Sequence, residues 1–335
     1  MMSPDALVRV IRSLMAEALR TQNLSLPDSP YSFPETDSFD AHGYDSLAIL
    51  GCAAEVNRFF SLHETGAEDY LLRHRSLSGW AEVIRSAWQG DPRAIAFKTS
   101  GTSGTPRHVT HDMTLLHQEI DVLADILAGT GSQPDAQPQP DAQPKADSSS
   151  QADSQLQEGA ISRIYSLVPP HHIYGFLWTV LLPEALGVPV VDARPEAGAT
   201  PPETGIQSDQ VQSSGVQPGD LIVAVPAIWQ YLASSRPSFP RDVRGVSSTA
   251  PMSPQLAASL RGRGGLARFV EIYGSSETAG IGWRDAPGPY ELFPYYGISE
   301  DVAGSAHATG GPVLVRSLPD GGQEHPDRPV EPREG

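Results

Sequence analysis

Cysteine is nearly absent: Cys52 is the one example in 335 residues, so no internal disulfide can form and the chain suits a reducing compartment. Lysine is almost as scarce, with only Lys98 and Lys145. Basic residues number 23 against 40 acidic ones, a formal net charge of −17. That field repels phosphate backbones and anionic lipid surfaces, which argues against nucleic acid and membrane as general partners; an anionic substrate needs a local cradle. No apolar run approaches membrane-spanning length. Leu7 to Leu19 interleaves Arg9, Arg12 and Glu17 at helical spacing, unlike the unbroken apolar stretch of a signal peptide, and a cytoplasmic location is expected. Hydrophobic residues make up 39% of the chain beside 31 Gly and 31 Pro, so part of the chain is expected to stay unfolded.

That part is easily placed. Residues 131–160 contain no aromatic or β-branched side chain and repeat Gln-Pro-Asp-Ala-Gln-Pro from Gln133 and again from Gln139, the composition of a disordered insertion. Residues 195–218 are rich in Gly, Pro, Thr and Gln and read as a long loop. Residues 318–335 read as a disordered tail. Upstream, helical patterns run from Leu7 to Leu19, Asp45 to Phe60 (with Leu47, Leu50, Val56 and Phe59 on one face) and Leu77 to Trp88. They predict a small all-α bundle over residues 1–90. From Ala94 short apolar runs (Ala94–Phe97, Ile161–Val168, Val188–Val191, Leu221–Val225, Val243–Ser248, Phe269–Ile272) alternate with amphipathic ones. This predicts an α/β domain over residues 91–317, a parallel-rich sheet with flanking helices and ligands at the carboxyl ends of its strands.

The strand Ala94–Phe97 leads into Lys98 and then Thr99-Ser100-Gly101-Thr102-Ser103-Gly104-Thr105-Pro106-Arg107, with a helix expected next. Glycines let the backbone approach phosphate oxygens, and five hydroxyls between Thr99 and Thr105 add donors without charge. Arg107 adds a fixed cation. No Gly-Lys-Ser/Thr closes the segment, so it is not a Walker loop. It resembles the phosphate-binding signature of the adenylate-forming superfamily of acyl- and aryl-CoA ligases and adenylation domains, with Arg107 where that family has lysine.

Three further segments resemble the same superfamily in its order. In Tyr273-Gly274-Ser275-Ser276-Glu277-Thr278 the resemblance implies that Tyr273 stacks on adenine, Ser276 contacts the α-phosphate and Glu277 holds Mg²⁺, a hard cation that takes oxygen ligands. Pro169-Pro170-His171-His172-Ile173-Tyr174-Gly175 is similar to the family's Phe-His-Ile-Tyr-Gly segment, which makes His172 the histidine at the acyl pocket. Tyr174, Phe176, Trp178 and Ile281 are candidate pocket residues. Ser248-Thr249-Ala250-Pro251-Met252 is similar to the Gly-Gly-Ala-Pro-Leu turn beside adenine. The implied reaction joins a small carboxylic acid to ATP with Mg²⁺, releases pyrophosphate and passes the acyl group to a thiol. The family's catalytic lysine and ribose-binding Asp have no recognisable counterpart after Lys145.

Asp37 through Asp45-Ser46-Leu47 resembles the attachment site of acyl and peptidyl carrier proteins, which implies that Ser46 carries 4′-phosphopantetheine added by a phosphopantetheinyl transferase. The thiol acceptor is then this arm, a separate carrier protein or coenzyme A. Two alternatives stand beside the ligase reading: a non-catalytic carrier on a degenerate nucleotide-binding scaffold, and a truncated gene product without the catalytic C-terminal domain.

Overall fold

The computed structural model describes residues 2–22, 28–88, 94–99, 107–129, 160–194, 215–235, 238–299, 313–319 and 322–324. The insertion at 131–160 lies outside them except for Ala160, as do residues 195–214 of the second loop.

Four helices open the chain: α1 (Pro4–Thr21), α2 (Ser46–Phe59), α3 (Glu68–Arg73) and α4 (Leu77–Ala87). Ser3, Asp45 and Ser76 cap α1, α2 and α4 by accepting a backbone N–H two or three residues on, which satisfies donors the first helical turn leaves unpaired. The short α3 was not among the expected helices. The buried side of α2 also differs from expectation: Ala48, Ile49, Cys52, Ala53, Val56 and Phe59 are buried, whereas Leu47 and Leu50 are 67% and 52% exposed. Small side chains let α2 approach α1 closely, and that packing outranks the larger leucines in choosing the face.

The hairpin of β1 (Ala94–Thr99) and β2 (Arg107–Asp112) comes next, in register with Thr99 opposite Arg107. Here the structure corrects the expected strand-to-helix turn, because a return strand precedes α5 (Met113–Ala128). Arg107-His-Val-Thr-His111 is too short and too β-branched around Val109 and Thr110 to begin a helix, and Asp112 supplies the α5 cap.

The main sheet has seven strands in the order β4-β3-β5-β6-β7-β8-β9. They are β3 (Arg163–Ser166), β4 (Val190–Asp192), β5 (Asp220–Ala224), β6 (Arg244–Ser247), β7 (Arg268–Ser275), β8 (Ala279–Asp285) and β9 (Glu291–Leu292). The first five in spatial order are parallel, while β8 and β9 return antiparallel. One face packs Ile164, Leu221, Val223, Val246 and Val270 against a continuous core that includes α1, α2 and α5. It also includes the helical run of α6 (Ile173–Phe176), a π-helical turn (Leu177–Leu181) and α7 (Leu182–Leu186). The other face packs Tyr165, Ile222 and Phe269 against Trp229 of α8 (Pro226–Ser235) and Leu260 of α9 (Pro254–Arg261). Phe176 and Trp178 are wholly inside this core.

A third sheet joins β10 (Tyr296–Ser299), β11 (Val313–Ser317) and β12 (Gln323–Glu324). The expected disordered tail is therefore corrected at Gln323–Glu324, which pair with Arg316 and Ser317. Among the described residues no helix is long and apolar enough to cross a membrane.

Candidate active site

Strands β3, β5, β6 and β7 run parallel, so the segments that follow them meet at one rim of the sheet. After β3 the chain runs through Pro169-Pro170-His171-His172 into α6. The Tyr174 hydroxyl is shared between the carbonyls of Ala224 (3.1 Å) and Val246 (3.0 Å), at the ends of β5 and β6. This stitches the histidine segment onto the rim. A side chain at Gly175 would collide with the Pro169 carbonyl, so only glycine allows that close crossing. After β6, Ser248 Oγ donates to Ile272 O at 3.1 Å and Met252 N–H donates to the buried Glu271 carboxylate at 3.1 Å. Glu271 is also ion-paired with Arg284. The Ser248–Met252 segment is thus fastened alongside the end of β7.

Strand β7 runs further than expected, so Tyr273 and Gly274 belong to the strand and a hairpin, with no helix, follows them. Tyr273 is 59% exposed, its ring edge-on to Tyr290 at 5.9 Å, and the Arg284 guanidinium lies 4.4 Å over the Tyr290 ring. This open aromatic surface fits a planar base. Thr249 beside it has φ 79°, a left-handed conformation that a β-branched residue holds only under strain. Ser275 and Thr278 organise the turn: Ser275 N–H donates to Thr278 Oγ1 (3.1 Å), and the N–H groups of Glu277 and Thr278 donate to Ser275 Oγ (3.2 Å each). With the Ser275 hydroxyl used inside the turn, Glu277 remains an exposed carboxylate with no ion pair among the described residues, which fits a hard cation.

The β1–β2 hairpin flanks the same turn. His111 Nε2 donates to Ser276 O at 2.6 Å, and Phe97 packs on Phe176 at 5.5 Å. Thr99 is buried and Arg107 exposed at the end of the hairpin that adjoins the connecting segment. Ser100, Gly101, Thr102, Ser103, Gly104 and Thr105 lie outside the described residues. His172 is exposed, yet the protein around it and the nearby Lys98 and Arg194 cations lower its pKa against the opposing charge of Glu17, which favours the neutral imidazole. Its neighbour His171 is buried, with Nδ1 2.7 Å from Ser13 Oγ on α1, and is held well below the ordinary histidine pKa, chiefly by burial. Ser46 stands on another element, exposed at the first turn of α2.

The structure thus brings together His172, Thr249, Ala250, Pro251, Tyr273 to Glu277 and the base of the hairpin. Sequence reading missed Lys98, His111 and Glu119. The first two lie within or beside the glycine-rich segment, but nothing in their spacing pointed to His111 bonding Ser276 or to the Lys98 charge acting on His172. Glu119 sits on α5 among apolar neighbours; a carboxylate at a position of the apolar stripe was the one available signal.

A sequence profile of the AMP-binding enzyme family matches residues 63–300. The chain is 34% identical over 298 residues to a 4-coumarate–CoA ligase of Rhodobacter capsulatus, covering 87% of this chain and 67% of that protein. It is 33% identical over 323 residues to the corresponding ligase of Halorhodospira halophila, covering 95% and 71%. It therefore spans about two thirds of the length of these relatives. A solved O-succinylbenzoate coenzyme A synthetase from Bacillus subtilis, in complex with ATP and magnesium ion, superposes loosely, with TM-score 0.45 and 12% identity over 96% of this chain and 67% of that one. The sequence matches carry the assignment: this chain belongs to the AMP-binding enzyme family.

Proposed function

We propose that the chain activates a small carboxylic acid, an aryl acid of the 4-coumarate class, as its acyl-adenylate. The carboxylate oxygen attacks the α-phosphorus of ATP, the bond to the bridging oxygen breaks and pyrophosphate leaves; a thiol then displaces AMP from the acyl carbon. In this reading Tyr273 and the Thr249-Ala250-Pro251 segment hold the base, Ser276 and the segment from Thr99 to Thr105 bind phosphate, Arg107 offsets its charge and neutral His172 borders the acid. Glu277 would hold Mg²⁺, which would neutralise charge on the phosphates. The step depends on positioning and electrostatic stabilisation. One observation carries the reading: the segments after β3, β6 and β7 converge on one rim while the hairpin bonds the turn at Ser276. The single cysteine supports a reducing, cytoplasmic setting. Labelled pyrophosphate should exchange into ATP when 4-coumarate is added, and Glu277→Ala should lower that exchange by about 100-fold or more. ATP binding with no exchange for any of a panel of aryl and acyl acids would instead mark a nucleotide-binding scaffold.

A second reading concerns the thiol. Ser46 is exposed directly after its capping Asp45, and Leu47 and Leu50 beside it are open to solvent, an apolar face available to a transferase or a catalytic partner. This supports residues 1–90 as a carrier-like segment that bears 4′-phosphopantetheine on Ser46 while sharing a core with the adenylating unit over 91–317, with coenzyme A as the competing acceptor. Incubation with a phosphopantetheinyl transferase and coenzyme A should add the arm's mass to wild type and not to Ser46→Ala. An unchanged mass leaves coenzyme A or a separate carrier protein as the acceptor.

A further inference from the structure

The hairpin turn that carries Ser276 and Glu277 is held under backbone strain. Ala279, the first residue of the return strand β8, has φ 57°, a conformation that costs a non-glycine residue free energy and persists only where the surroundings impose it. Within the turn the Thr278 hydroxyl also donates to Ala279 O at 3.0 Å. Just beyond, Gly280 N–H points to Glu119 and reaches both carboxylate oxygens, at 3.2 and 3.0 Å.

Glu119 is fully buried on α5, where a carboxylate is costly unless its partners compensate. They do so only in part: burial still raises its pKa to about 7, while Gly280 N–H and the positive field of Arg316 favour the ionised form. Arg316 is itself fixed on α5, donating to Leu115 O (2.8 Å) and Gln118 Oε1 (3.2 Å) and lying 4.5 Å over the Tyr295 ring. The carbonyls of the turn are secured from the same side. His111 holds Ser276 O, the Tyr296 hydroxyl donates to Thr278 O and the Tyr295 hydroxyl to Gly280 O, the last two at 3.3 Å. A β-carbon at Gly280 would collide with Glu119 and Phe293, so the approach admits no other residue. An apolar side chain could fill the volume at position 119 without the desolvation cost; what it could not do is grip Gly280 N–H.

We infer that Glu119 is a positioning residue: from α5 it anchors Gly280 N–H, and with His111 at the other end it holds the strained turn so that Ser276 and Glu277 face the nucleotide. Because β2 leads directly into α5, this clamp ties the β1–β2 hairpin and the metal-side turn together. The inference rests on the proposed roles of Ser276 and Glu277.

The test uses the full chain with Glu119→Ala, Glu119→Gln and Glu119→Asp, read by calorimetric titration with MgATP, by titration with ATP in EDTA and by hydrogen exchange at residues 275–281. Loss of a partner that orients a metal ligand typically weakens the site by about 10- to 100-fold. Glu119→Ala is expected to bind MgATP that much more weakly, with a smaller loss for ATP in EDTA, and to lose protection at Gly280. Glu119→Gln keeps an acceptor oxygen and should restore both within about threefold. If Glu119→Ala does not fold, Glu119→Asp, which keeps the charge but falls one methylene short, should show the same split. Wild-type MgATP affinity and unchanged Gly280 protection in a folded Ala or Asp variant would overturn the inference. If wild type itself binds no MgATP, the nucleotide reading fails, and the exchange data still decide whether Glu119 fixes the turn.

Discussion

Thr249 occupies a position where the resembling turn of related ligases carries glycine, and it does so with φ 79°. A left-handed L-residue costs about 1–2 kcal/mol, partly offset by the larger unfolded-state entropy of glycine. Thr249→Gly should therefore raise stability by up to about 1 kcal/mol, measured by urea unfolding. Thr249→Val, equally branched, should bring no gain. Two titrating groups both lose native-state stability as pH rises, each in its own window. Burial pushes the Glu119 carboxyl up to about 7, so the native state keeps a proton that the unfolded chain has released. That penalty is absent below the ordinary carboxylate pKa, grows as pH rises from about 4.5 to about 7, and approaches roughly 3 kcal/mol. Glu119→Gln should accordingly look more favourable relative to wild type at pH 8 than at pH 5. His42 bridges Asp28 at 2.8 Å and Asp37 at 3.2 Å, and those bonds, Asp28 first, raise its pKa. Its stabilisation is complete below the unfolded-state pKa of about 6.5 and fades as pH climbs through the raised folded value. The melting-temperature deficit of His42→Gln should thus be larger at pH 6 than at pH 9.

Among elements, the run from α6 to α7 reaches the rim through one hydroxyl. Tyr174→Phe leaves two strand-end carbonyls without that donor, and a loss of about 1–2 kcal/mol is expected, with the larger effect on affinity for the acid because His172 is two residues away. Unchanged acid affinity would mean that the histidine segment is held without Tyr174. The parallel strands were legible in the sequence because Leu221 to Val225, an unbroken apolar run between Asp220 and Pro226, and Phe269 to Ile272, apolar but for Glu271, carry the mark of strands buried on both faces. The site was legible where its chemistry is local: Tyr273 to Glu277 and Thr249 to Pro251 stand where their strands end. It was not legible where partners are distant in sequence. Glu119 meets Gly280 across 161 residues and His111 meets Ser276 across 165. The β2 return strand was hidden because its alternating His, Val, Thr and His carry little apolar signal.

At the scale of the molecule, the N-terminal helices share a core with the α/β part. Phe59 of α2 meets Phe97 of β1 at 5.4 Å and Phe176 of α6 at 5.8 Å, Ser13 of α1 bonds His171, and Arg194 ties Ser13 and Tyr31 to Asp192. Phe59→Ala should cost about 3–5 kcal/mol, and circular dichroism and tryptophan fluorescence should report one coincident unfolding transition. Two separate transitions would show the helices folding by themselves. The central claim is that one nucleotide lies between the hairpin of β1 and β2, the segment after β6 and the turn after β7. Hydrogen exchange of the full chain with and without MgATP tests it most directly. Slower exchange is expected together at residues 98–110, 248–252 and 273–280, with none in α8 or α9; protection confined to one of these segments, or none at all, would contradict it.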